Sequence, residues 1–362
     1  MGSDSADGSS LSPVRTLSAA AALAENGDMI EIFDSAEMPE YFSNPYKALT
    51  ITGGILDFTA LTSFAAQSDL TFKNINLITN ANQKLYANGY PLTMDIGVTM
   101  SNRIYLYGGR AGGKAASTDL TIKSGSYEYI FGGNGKGDIT CDTSVRFEGG
   151  YIQESIYGGN ESGFLTGNTQ IIMSGGRTEA IFGGSLSSSM RGNTFISITG
   201  GEVTRRIFGG CYNDFGPNII TGSWMSKHFV DGTTNISVGS TANIATSTAL
   251  EDLDKGIYGG SRCGSSKNSI SEVNTIITLD NCYGKFAGAL SPVTSVNPAR
   301  QHCDYLIKSA AGGIIYATET AGRVKVVPND GYSASVNGGT PFTGGGISIL
   351  TGESTVTYSI NI

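Results

Sequence analysis

The chain has 362 residues, of which 51 are glycine and only 15% are charged, with a formal net charge of −8. An acidic chain without a basic cluster is not built to hold nucleic acid or an anionic membrane, and no apolar run approaches the ~18 residues that span a bilayer. Glycine at this level signals disorder unless the apolar residues are regularly spaced, and here they are.

In chain order, residues 1–14 read as a flexible leader. Residues 15–26 (RTLSAAAALAEN) are the one convincing helix, with alanine and leucine supplying propensity and Ser18 available to cap it. A first strand follows at 29–33. Helix and strand together, 15–33, are expected to cap the end of a stacked structure, because an uncapped end would expose a strand edge and apolar core. Residues 37–46 read as a loop, and strands are expected near 49–52 and 70–75.

From residue 106 one phrase recurs: aliphatic, aromatic, Gly-Gly. It is written Leu106-Tyr107-Gly108-Gly109, Ile130-Phe131-Gly132-Gly133, Ile156-Tyr157-Gly158-Gly159, Ile181-Phe182-Gly183-Gly184, Ile207-Phe208-Gly209-Gly210 and Ile257-Tyr258-Gly259-Gly260. The first five copies are spaced by 24, 26, 25 and 26 residues, and the next gap is two periods. A fixed period of this size marks a stacked repeat. Within one period, residues 194–199 alternate apolar and polar, a strand signature, and no stretch carries a helical period. The Gly-Gly pairs are expected at sharp turns or positive φ. Short strands separated by glycine bends, stacked on copies of themselves, make a β-solenoid that rises about 4.8 Å per rung. The rungs are expected over about 47–320. Residues 322–362 lose the phrase and read as capping strands or the start of a neighbouring module.

The Ile-Tyr/Phe-Gly-Gly bends, the Gly-Asn-Thr strands at 167–176 and 192–201, and the opening Gly27-Asp28-Met29-Ile30-Glu31-Ile32 together resemble a known group. They resemble the right-handed parallel β-helix (pectin-lyase-like) repeats of large surface and secreted proteins of Gram-positive bacteria. The resemblance covers about residues 15–362. It implies an all-β, right-handed, single-stranded parallel β-helix with rungs of roughly 25 residues, a short N-terminal capping helix and an extracellular location. It says almost nothing about activity, because fold does not imply function.

Stacking sorts the residues into columns. The large aliphatic residue before each ring (Leu106, Ile130, Ile156, Ile181, Ile207, Ile257) should face the core. The rings beside it (Tyr107, Phe131, Tyr157, Phe182, Phe208, Tyr258) have two readings. By strict alternation they point outward, as a flat sugar-binding platform. Alternatively the Gly-Gly bend breaks the alternation and the rings stack in a corner of the core. The charged column Glu128, Glu154, Glu179, Arg205 and Lys255 reads as a solvated face.

After residue 210 the excursions between strands lengthen. They carry the only tryptophan and both histidines, so Asp214, Trp224, His228, Asp231, Arg262, Arg300, His302 and Asp304 form a candidate ligand-binding edge. Of five cysteines, Cys211, Cys263, Cys282 and Cys303 allow one or two disulfides or free thiols, and Cys141 is left over. No zinc spacing, paired-Asp constellation, nucleophile elbow or phosphate-cradling loop is written in the chain, so no catalytic residue, metal or cofactor is assigned. The expected function is a non-catalytic, secreted or cell-surface, adhesin-like binding or spacer module for a host or microbial ligand such as a glycan or host protein, monomeric by itself. The alternative is a polysaccharide lyase or glycoside hydrolase on the same fold.

Overall fold

The computed structural model describes residues 2–42, 47–112, 117–212, 228, 230–239 and 241–244, and beyond these the backbone of strands between 256 and 361. The chain is nearly all β, and its strands stack in parallel as a solenoid with one short helix at the N-terminal end. Sheet I stacks Met29–Glu31, Leu49–Thr52, Leu70–Lys73, Leu92–Met94, Thr118–Ile122, Thr143–Phe147, Thr169–Met173, Thr194–Ile198 and Thr234–Val238. Sheet II stacks Ser63–Ala65, Lys84–Tyr86, Ile104–Tyr107, Ser126–Phe131, Tyr151–Tyr157, Arg177–Phe182, Glu202–Phe208 and Gly256–Tyr258. The Ile column is in register, with Ile130 beside Ile156, Ile156 beside Ile181, and Ile181 beside Ile207. All four are fully buried in the main core between the sheets, as the alternation required.

Two kinds of turn share this stack. The sheet I partners Ile30, Ile51, Phe72 and Met94 are 21, 21 and 22 residues apart. These early turns pass from sheet I to sheet II through a small sheet III, made of Ser35–Glu37, Ile55–Asp57, Asn76–Ile78 and Thr99–Met100. The later partners Ile122, Phe147, Met173 and Ile198 are 25, 26 and 25 residues apart. In these turns sheet III ends and the strands of sheet II lengthen. A small sheet IV (Ile139–Thr140, Leu165–Thr166, Met190–Arg191, Val230–Asp231) then returns the chain to sheet I. The Gly-Gly phrase first appears after Tyr107, in the last turn through sheet III, and recurs in the second kind of turn. Near the C-terminus, Arg323–Pro328 extends sheet I in parallel, whereas Ile347–Leu350 pairs with it antiparallel.

The helix runs over Leu17–Leu23, shorter than the expected 15–26, and its cap is Thr16 rather than Ser18. The Thr16 hydroxyl accepts from the Ala19 amide at 3.2 Å, so the first helical turn closes two residues earlier than Ser18 would allow. Lys47 donates its ammonium to the carbonyls of Ala21 and Ala22 at the other end. Leu17 and Ala21 insert into the main core. The leader is tied to this cap, since Asp4 Oδ1 accepts from the amides of Arg15 and Thr16.

Glycine serves two different needs. The pair after each ring stands at a sharp bend, the first of the two expected alternatives, and does not have positive φ, the second. A Cβ on Gly183 would instead fall well inside contact distance of the Gly209 carbonyl, and one on Gly184 inside that of the Cys211 sulfur. These residues are glycine because successive bends stack too tightly for any side chain. Positive φ belongs to the other pair, just before sheet II, as at Gly176 (φ 74°).

Candidate functional site: the outer face of sheet II

The ring column shows what the Gly-Gly bend is for. Tyr107, Phe131, Tyr157, Phe182 and Phe208 are buried, yet they lie outside the cluster that holds the Ile column. They share the outer face of sheet II with Tyr105 and Tyr129, two residues upstream in the same strands. The alternation is therefore kept, and the rings do point away from the main core. They are buried because the segment after each Gly-Gly folds back over them. Gly135 lies against the rings of Tyr86 and Tyr107, and Leu186 and Tyr212 close over the rings further along. The rings form a ladder, with centroids 5.0 Å apart for Tyr107 and Phe131, 5.1 Å for Phe131 and Tyr157, 4.9 Å for Tyr157 and Phe182, and 5.2 Å for Phe182 and Phe208. The exposed platform is thus not present in these five rings. Of Tyr258 the structure describes the backbone alone.

The fold-back segments are fixed by a second ladder. Asn134 Oδ1 accepts from the Arg110 amide, Asn160 Oδ1 from the Asn134 amide, Ser185 Oγ from the Asn160 amide and Cys211 Sγ from the Ser185 amide. Each residue directly after Gly-Gly thereby satisfies a buried donor in the turn before it. On the other side of each bend, Thr143 Oγ1 donates to the Gly158 carbonyl at 2.6 Å, and Thr194 Oγ1 to the Gly209 carbonyl at 2.6 Å. This is the reason for the threonine that opens the sheet I strands Thr143–Phe147, Thr169–Met173 and Thr194–Ile198.

What remains accessible on this face lies at a run of β-bulges. The register of sheet II shifts between Tyr127 and Tyr129, between Tyr151 and Ser155, and between Thr178 and Ala180. The extra residues turn outward, and they are charged: Glu128, Glu154 and Glu179, then Arg205. Arg103 pairs with Glu128 at 2.8 Å, and Arg205 pairs with Glu179. Glu154, between them, is in no ion pair among the described residues. Burial, with the Glu179 and Glu128 charges added, holds its carboxyl above the usual range. Beside this column the half-buried rings of Tyr105 and Tyr129 sit 5.2 Å apart, and Tyr129 reaches Tyr157 at 6.4 Å. Lys84 Nζ stands 5.6 Å over the Tyr105 ring and 5.4 Å over Tyr107, and it pairs with Glu161 at 3.1 Å. Burial first, with the neighbouring Glu128 and Glu154 charges added, raises the pKa of the Tyr105 and Tyr129 phenols, so they are neutral hydrogen-bonding groups at ordinary pH. The face offers aromatic surface, neutral hydroxyls and one unneutralised carboxylate in a rigid row, a set suited to binding.

Of the expected loop edge, His228 and Asp231 are described. Asp231, in sheet IV, pairs with Arg191 at 3.0 Å. Burial lowers the pKa of His228, favouring neutral imidazole. Asp214, Trp224, Arg262, Arg300, His302 and Asp304 lie outside the described residues. Cys211 and Cys141 pack on the Ile139, Leu165, Met190 and Val230 cluster behind sheet IV. Burial first, with Asp142 adding for Cys141, pushes their thiols up to about 12 and about 11 respectively. Cys263, Cys282 and Cys303 are outside the described residues. Among the described residues no three His, Cys, Asp or Glu side chains are grouped to hold a metal, and no helix is long and apolar enough to cross a membrane.

The sequence reading missed Tyr105 and Tyr129. Their column holds Ser155, Ala180 and Arg206 in later turns, so it has no recurring residue type to reveal it. Comparison with family models, curated proteins and solved structures finds no match to this chain.

Proposed function

We propose that the chain is a non-catalytic, secreted or cell-surface β-helical module that binds a host or microbial ligand, a glycan foremost, with the outer face of sheet II as its contact surface. The observation that carries this reading is the ledge of Tyr105 and Tyr129 flanked by the bulged row Glu128, Glu154 and Glu179. Aromatic rings offer a large, stiff contact area at little entropic cost, and neighbouring hydroxyls and carboxylates fix orientation. The ladder behind them holds the row in place before any ligand arrives, which reduces the ordering cost of binding.

One observation favours the carbohydrate-active enzyme instead. A carboxyl that burial and the neighbouring Glu179 and Glu128 side chains hold above its usual range is the pattern of a general acid. A glycan array run beside reducing-sugar and unsaturated-product assays separates the two. Binding without turnover, lost in Tyr129→Ala at unchanged melting temperature, supports the binding module. Turnover abolished by Glu154→Gln supports the enzyme. Loss of binding in Trp224→Ala alone moves the site to the long-loop edge. Binding unchanged in all three variants makes this segment a spacer.

A further inference from the structure

The N-terminal end of the solenoid is only partly closed. In the parallel pairing of Met29–Glu31 with Leu49–Thr52, Asp28 and Ile32 flank the ladder: the Thr50 amide donates to the Asp28 carbonyl at 3.0 Å, and the Ile32 amide donates to the Thr52 carbonyl at 2.8 Å. This register directs the even-numbered backbone groups toward the neighbouring strand. The amides and carbonyls of Met29 and Glu31 therefore point the other way, to an edge that no strand among the described residues occupies. The cap helix does not cover it. Between the helix and leader on one side and residues 28–36 on the other runs a cleft of about 800 Å³. At its edge Met29 and Phe33 are 64% and 61% exposed.

The cleft is also electrostatically one-sided. It is lined by four carboxylates, Asp7, Asp28, Glu31 and Asp34, and one guanidinium, Arg15. Arg15 is already paired with Asp4, and none of the four lining carboxylates is in an ion pair among the described residues. A second copy of the same end would bring like charges together, which opposes end-to-end pairing through this edge. A single extended strand satisfies the open backbone groups, and alternating side chains match the two demands of the cleft. Apolar residues would face the cap on the side of Ile30 and Ile32, and basic residues would lie beside Glu31 on the outer face that it shares with Met29 and Phe33.

We propose that this edge is a β-augmentation site for an extended segment of a partner chain that alternates apolar and basic residues. The test uses the full chain and three fluorescein-labelled ten-residue peptides, one alternating valine and lysine, one valine and glutamate, and one with the lysine peptide's composition scrambled. Fluorescence anisotropy should show the alternating lysine peptide binding at least tenfold tighter than either control. Met29→Pro removes one amide from the open side while leaving every charge and the pairing to Leu49–Thr52 in place, as edge prolines do. It should weaken that peptide at least tenfold. Should this variant melt early, amide exchange of the unmodified protein gives the same answer. Exchange at Met29 and Glu31 should slow on adding the lysine peptide, while that at Ile30 stays unchanged. Equal binding of all three peptides, binding unaffected by Met29→Pro in a folded variant, or unchanged exchange at Met29 and Glu31 overturns the proposal. So does concentration-dependent self-association that protects those two amides without peptide, which would assign the edge to a second copy.

Discussion

The hydroxyl of Tyr107 donates a 2.6 Å hydrogen bond to Oε2 of Glu161, although two complete turns of the chain lie between them. The same oxygen accepts from Lys84 Nζ, one turn earlier still. Three turns of the outer layer are thus fastened at a single carboxylate. Burial, with this bond and the Glu161 charge added, raises the pKa of the Tyr107 phenol. Removing the acceptor leaves a buried hydroxyl unsatisfied, so Glu161→Ala should cost about 1–3 kcal/mol. Lys84→Met should cost less, about 0–1 kcal/mol, because its ammonium is partly exposed. Urea unfolding of both variants checks the order, and a larger loss for Lys84→Met would place the energy in the ion pair instead.

The two roles of glycine predict opposite tolerance. At Gly183 the obstacle is the stacked Gly209 carbonyl, and alanine should destabilise by about 1–3 kcal/mol through overpacking. At Gly27 (φ 93°) nothing lies within 4 Å of an added Cβ, so the only cost is conformational. Gly27→Ala should lose roughly 1 kcal/mol and Gly27→Asn less, since asparagine tolerates the left-handed region. Equal melting temperatures for Gly183→Ala and the parent would remove close stacking as the reason for the Gly-Gly phrase.

Asn160 is the central member of its ladder. Its Oδ1 accepts from the Asn134 amide at 2.8 Å and its Nδ2 donates to the Gly163 carbonyl at 2.9 Å. Asn160→Leu orphans a buried amide and should cost about 1–3 kcal/mol. Hydrogen exchange should accelerate at Asn134 more than at residues in sheet I. A uniform acceleration would mean that the ladder has no local effect.

Asp95 predicts the acid response. Burial opposes ionisation there, yet Lys123 at 3.0 Å, the Ile96 amide and Lys73 at 3.7 Å together hold its carboxyl below the ordinary 3.8. A depressed folded-state pKa stabilises above the ordinary value, and the contribution fades as pH falls through the depressed one. Asp95→Asn should therefore lower stability by about 0.2–1 kcal/mol at pH 7. Its difference from the parent should shrink as the pH falls below 3.8. A difference that persists unchanged in strong acid would point to shape rather than charge.

The Ile column was legible because one apolar residue type returns at one spacing, and only a stacked core explains that. The ring column was half legible. Alternation correctly aimed Tyr107 and Phe131 outward, but nothing in a period of 25 residues says that the segment beginning at Asn134 or Asn160 turns back to cover them. That depends on hydrogen bonds between turns, such as Asn160 to Asn134, whose partners are 26 residues apart. The bulges at Glu128 and Glu154 were invisible for a related reason. An extra residue within a strand looks like ordinary irregularity until the register of the next strand is known. The early turns were readable only as isolated strands because their period is shorter and lacks Gly-Gly.

The fold-back layer also gives the rod a mechanical gradient. A parallel solenoid pulled from its ends loses turns one at a time, each held by its backbone ladder. In the early turns through sheet III neighbours are joined by scattered side-chain bonds, such as those from Gln83 Nε2 to the Phe58 and Leu61 carbonyls, rather than by one continuous ladder. From the turn of Tyr107 onward, each turn is additionally keyed to the next by a stacked ring and an asparagine, serine or cysteine side chain. Under tension the first turns should give way at low force and the ring-bearing turns at high force. Such a module would stretch at one end while its tyrosine face stayed intact, keeping a ligand held there under load.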